Sequence, residues 1–107
     1  HPVLAAVGRT EEQALAEGIE VGVGLADLSG SMQAVILGDP RGALKLVVDR
    51  EFGEILGAHM VGARAEEVIA QVVVAMEAEL DYRDLTKGRQ IHPSMGELLA
   101  EAAAAVE

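Results

Sequence analysis

The spacing of hydrophobic positions changes along the chain, and each change marks an element. Val3 to Val7 is a short apolar run that ends at Gly8. Thr10-Glu11-Glu12-Gln13 follows with the spacing of a capping box, in which the Thr10 hydroxyl accepts from a helical amide and Gln13 reaches back. Glu11 and Glu12 fall in the first turn, where the helix dipole favours negative charge, and Gly18 suits a left-handed stop. The pattern predicts a short helix over Glu11 to Glu17. From Ile19 the period becomes two. Ile19, Val21, Val23 and Leu25 alternate with Glu20, Gly22, Gly24 and Ala26, which predicts a strand with one apolar face. Ser29-Gly30-Ser31 breaks it, Gln33 to Leu37 reads as a second short strand, and Gly38 to Gly42 reads as a turn. Ala43 to Asp49 is a third strand, joined through Arg50-Glu51-Phe52-Gly53 to a fourth over Glu54 to Val61. Links this short imply antiparallel neighbours, because a parallel crossover needs about a dozen residues.

After Gly62 the period lengthens. Val68, Val72, Met76 and Leu80 recur every four residues, widened by Ile69 and Val73, so Arg64 to Leu80 is predicted to be a helix. The run Val72-Val73-Val74 implies burial on more than one side of it. Asp81 to Thr86 reads as a further helical turn, Lys87 to Gln90 as a loop, and Ser94 to Val106 as a final Ala-rich helix. Strands come first and helices after. The fold class is α+β: an antiparallel sheet of about four to five strands with helices packed on one side.

Composition narrows this further. The 107 residues form a single domain, 1–107, and at this size about 65% of the unfolded surface is buried. Half the residues are hydrophobic but only 2% are aromatic, so Val, Leu, Ile and Ala must fill the core. There is no cysteine, which excludes a disulfide, a thiolate metal site, an iron–sulfur cluster or a redox thiol within the chain. Eighteen acidic residues against eight Lys and Arg, a net charge of −10, argue against nucleic acid and anionic membranes as partners. No apolar run is long enough to span a bilayer and no signal peptide opens the chain, which points to the cytoplasm. The chain starts at His1 rather than at a methionine, as a fragment of a longer protein would.

Few residues carry candidate chemistry. Gly22-Val23-Gly24 resembles half of a dinucleotide fingerprint, but it lies inside a strand, where glycines more often admit a close neighbour. His1, His59 and His92 lack the spacing of a helical metal site, and no metal is expected. Glu11-Glu12 and Glu66-Glu67 read as first-turn helix charges, and His59 as a packed strand residue. Ser94 has no elbow motif around it and makes a poor nucleophile, which disfavours a hydrolase. There remains Ile91-His92-Pro93-Ser94-Met95-Gly96-Glu97. Ser94-x-x-Glu97 is another capping box, which would make Glu97 structural. The same spacing also lets the Glu97 carboxylate swing towards His92, fixing its tautomer and raising its basicity, as an acid/base pair requires. The residues alone leave both readings open.

Four stretches in order resemble a known family: Pro2 to Glu11, Gly42 to Asp49, Ile55 to Gly62, and His92-Pro93-Ser94-Met95-Gly96-Glu97. Over essentially its whole length the chain resembles the C-terminal interface (dimerisation) domain of the flavin-dependent pyridine-nucleotide disulfide oxidoreductases, which include dihydrolipoamide dehydrogenase and glutathione reductase. The resemblance implies a homodimer in which the His-Pro motif faces the partner subunit's flavin and disulfide. His92 would take the proton from a thiol substrate, Glu97 would orient it, and His92 and Pro93, joined by a cis peptide, would lie near the partner's flavin. FAD and NAD(P) would belong to the full-length enzyme and none to this chain alone. The family's redox cysteines and dinucleotide fingerprints lie in upstream domains, so the isolated chain should be inactive. Ser94 and Gly96 replace the usual Thr and Ser, and the retained histidine speaks against the mercuric-reductase branch. The type most resembled is dihydrolipoamide dehydrogenase. The alternative is a free-standing dimeric binding or assembly module that kept the fold without catalysis.

Overall fold

A computed structural model describes residues 3–28, 42–86 and 97–107. Their elements run β1 (Val3–Gly8), α1 (Glu11–Ala16), β2 (Val21–Asp27), β3 (Ala43–Asp49), β4 (Ile55–Gly62), α2 (Ala65–Glu77), a 3-10 helix (Tyr82–Thr86) and α3 (Glu97–Ala104). The described strands form one antiparallel sheet in the order β1-β4-β3-β2. The α+β reading holds, and β3 has the predicted bounds. The expected strand Gln33 to Leu37, the turn after it, and the Ser94 start of the last helix lie outside the described residues.

Each local signal has a visible cause. Thr10 caps α1 as its spacing predicts: its Oγ1 accepts from the Gln13 amide at 3.1 Å, and Gln13 Oε1 accepts from the Thr10 amide at 2.9 Å. Between β3 and β4 the Asp49 carboxylate turns the chain by accepting from the amides of Glu51 and Phe52 at 2.8 and 3.1 Å. α2 stops at Glu77, short of the predicted Leu80. Glu79 adopts φ 57°, and the amides of Glu79 and Leu80 bond back to the carbonyls of Met76 and Ala75 at 3.0 Å each. This is a Schellman closure with glutamate where glycine is usual. Leu80 keeps the helical period because the position after such a closure folds back onto the last turn.

The core lies on one face of the sheet. Leu44, Leu46, Val48, Ile55, Ala58 and Met60 meet Val68, Ile69 and Val72 of α2 and Leu98, Leu99 and Ala102 of α3. A register shift between Val47 and Val48 turns Leu56 to the opposite face. There Leu56, Val47 and Ala14 make a second, smaller cluster under α1. Thus α2 and α3 share the expected side, and short α1 covers one end of the other.

Candidate functional site

The site begins with a glycine pair. In β2 the alternation predicted from sequence is present, but the small side of the strand, Gly22, Gly24 and Ala26, is the buried one. Leu25 on the other side is 60% exposed. The cause is α3, which crosses β2 so closely that side chains would not fit between them. A methyl built on Gly24 would sit on the carbonyl oxygen of Ala102 and 2.9 Å from Val106 Cγ2. At Gly22 it would meet the Arg50 side chain and Val106 Cγ1, the latter at 2.9 Å. Beyond the helix, Arg50 Nη1 donates to the Glu107 carbonyl at 3.0 Å and Nη2 pairs with Glu20 at 3.4 Å, so the tail is tied to the end of β2. The glycines therefore serve packing, as the strand setting suggested.

Glu97 is the first residue of α3 and is half-buried, with Leu98 and Leu99 buried behind it. His92, Pro93 and the Ser94 of the capping box lie outside the described residues. Of the predicted pair, then, Glu97 is the first described residue of α3, a helix that meets β2 by backbone contact at Ala102. The role of Gly22 and Gly24 in that meeting is legible in sequence only as small residues alternating with large ones.

His59 and several charged side chains among the described residues have structural roles. His59 Nε2 bonds the Arg9 carbonyl at 3.0 Å, and Lys45, across from it in the sheet, pairs with Glu11 at 2.9 Å. Both contacts tie α1 and its approach to the sheet. Asp81 accepts from the Arg83 side chain at 2.6 and 2.9 Å, which holds the guanidinium above its already high ordinary pKa. Among the described residues no group of His, Cys, Asp and Glu is placed to hold a metal ion, and no helix is long and apolar enough to cross a membrane.

Comparison with known proteins decides the family. Residues 1–103 match the family described as the pyridine nucleotide-disulphide oxidoreductase dimerisation domain. The chain belongs to that family. This dimerisation domain is 41% identical to a dihydrolipoyl dehydrogenase of Cupriavidus necator over 106 residues, which is 99% of the chain and 22% of the relative. It is 39% identical to one of Corynebacterium glutamicum over 96% of the chain and 22% of the relative. Among solved structures, an HOCl-induced flavoprotein disulfide reductase of Escherichia coli superposes with a TM-score of 0.92 at 32% identity, covering all of this chain and 26% of that one. The chain thus spans about a fifth of the length of the curated relatives it matches.

The family implies a flavin and a nicotinamide dinucleotide. The glycine pair of β2 does not fit either as a cradle. The space that could admit a pyrophosphate is filled by the backbone of α3.

Proposed function

We propose that residues 1–107 are the dimerisation domain of a longer, FAD-dependent, NAD(P)-linked disulfide oxidoreductase of the dihydrolipoamide dehydrogenase type, and that His92 and Glu97 form its acid/base pair. The observation that carries this reading is the 41% identity to a dihydrolipoyl dehydrogenase over 99% of the chain, joined to the intact His92-Pro93 and Glu97 motif. The site is shared across a homodimer, with each domain serving the partner subunit's dithiol/disulfide site, and the enzyme works in the cytoplasm. Support for a partner comes from α2, which buries Val68, Ile69 and Val72 in the core but leaves Val73 and Val74 39% and 68% exposed on its outer face.

In this reading His92 accepts the proton of an incoming dithiol, so that the sulfur reacts as a thiolate, and returns a proton to the thiol released in the reverse direction. Glu97 accepts a hydrogen bond from one imidazole nitrogen. That contact fixes which nitrogen faces the thiol and steadies the imidazolium. The isolated chain has the acid/base groups but no cysteine and is inactive alone.

The test is His92→Gln in the full-length flavoenzyme, read as steady-state oxidation of a dithiol. Turnover should fall about 10²- to 10⁴-fold, the usual contribution of a positioned acid/base. Thermal unfolding should stay at the wild-type temperature. Wild-type turnover in that variant would refute the role of His92.

A further inference from the structure

We infer that Gly22 and Gly24 of β2 are positioning residues for the acid/base site: they set how closely α3 approaches the sheet, and so where Glu97 stands. The inference rests on the reading of His92 and Glu97 above and adds to it a determinant on a different element, some seventy residues earlier in the sequence.

α3 is a short helix, Glu97–Ala104, and its contact with β2 at Gly24 is made by a main-chain atom, the carbonyl oxygen of Ala102. A carbonyl cannot rotate aside as a side chain can, because it is part of the helix. Any side chain at Gly24 must therefore lift or slide the whole element. Ala102 lies five residues beyond Glu97, about 7.5 Å along the helix axis, so a movement at one is transmitted almost undiminished to the other. Relieving the overlap with a methyl needs a displacement of about 1 Å, the scale at which misplacement of a reacting group costs about a hundredfold in rate.

Gly22 is the softer contact of the two. Its neighbours are the methylenes of Arg50 and a methyl of Val106, beyond the end of α3. These can move by changing rotamer, so the same added methyl should displace α3 less. The pair thus offers a graded series in which helix displacement varies while His92 and Glu97 remain unchanged. Nothing of this requires the flavin, since the contact between β2 and α3 is complete within this chain.

The experiment is an NMR titration of the His92 imidazole in the full-length enzyme carrying isotope-labelled histidine, made with wild type, Glu97→Gln, Gly24→Ala and the double variant. Removing the carboxylate with Glu97→Gln should lower the His92 midpoint by about one pH unit. Gly24→Ala should lower it in the same direction, and in the Glu97→Gln background it should add nothing. Val47→Ala, in the cluster under α1 on the opposite face, lowers stability without touching α3 and should leave the midpoint where it was. If Gly24→Ala does not fold, Gly22→Ala takes its place, with a smaller movement in the same direction. Should Glu97→Gln leave the midpoint unmoved, the paired reading of His92 and Glu97 fails, and this inference with it. If instead Glu97→Gln moves the midpoint but the folded glycine variant does not, or acts equally with Glu97 absent, the inference alone is overturned. In the full-length enzyme Gly24→Ala should lower turnover by about tenfold to a hundredfold.

Discussion

The two longer helices lie on the same face of the same sheet, yet they reach it in opposite ways. α2 stands over β1 and β4 on branched side chains, with Val68, Ile69 and Val72 interposed between its backbone and the strands. α3 lies over β2 and β3 and sets the main-chain carbonyl of Ala102 against the backbone of Gly24. The first arrangement is tolerant, because side chains between two backbones can change rotamer and share a strain. At Gly24 the second has no side chain between the two backbones that can yield. A helix that only has to cover a core and offer an apolar outer face can be built the first way. A helix whose first residue must stand at one place is better built the second way.

Substitutions that fill or empty each contact should separate the two designs. The largest effect is expected at the backbone contact: Gly24→Ala should destabilise the chain by about 3 kcal/mol in chemical denaturation, the upper part of the range for overpacking. At α2, Val72→Ala, which removes a fully buried side chain, should cost about 2 kcal/mol. A cost at Gly24 below that at Val72 would erase the contrast. Smaller and opposite in sign is Glu79→Gly. It relieves the left-handed residue that closes α2, and should raise stability by about 0.5–1 kcal/mol after the flexibility gained by the unfolded chain is subtracted. Smallest in unfolding is Val74→Ser on the outer face of α2, within about 0.5 kcal/mol of wild type. The same variant should weaken self-association of the full-length enzyme, seen as a shift towards monomer in analytical ultracentrifugation.

The elements were most legible where a local cause acts alone. The cap at Thr10, the alternation in β2 and the polar turn after Asp49 each depend on residues a few positions apart, and each is found where the sequence puts it. What the sequence hid depends on a distant neighbour. Alternation in β2 shows two faces but not which one is buried, and it is α3, some seventy residues away, that selects the glycine side over Val23 and Leu25. The end of α2 was hidden because Leu80 continues the helical period after the chain has already turned at Glu79. The opposite-face position of α1 follows from a register shift in β4 that brings Leu56 round beside Val47, an event with no signature in hydrophobic spacing. Of the site, Glu97 was readable as a residue of the last helix and lies in it, while the expected start at Ser94 is outside the described residues. The pairing proposed for it with His92 is permitted by the spacing but implied only by the family resemblance, since Ser94-x-x-Glu97 also reads as a cap.

The central claim is that His92 and Glu97 act in the partner's site rather than in their own. Subunit mixing tests it most directly. Full-length His92→Gln enzyme would be mixed with enzyme whose upstream redox cysteines are replaced, and the two dissociated and reassociated together. Each parent is inactive. In a mixed dimer, one site has both defects and the other has neither, so activity should return to about a quarter of wild type, from one working site in half of the dimers. No recovered activity in dimers shown by mass to be mixed would contradict the account.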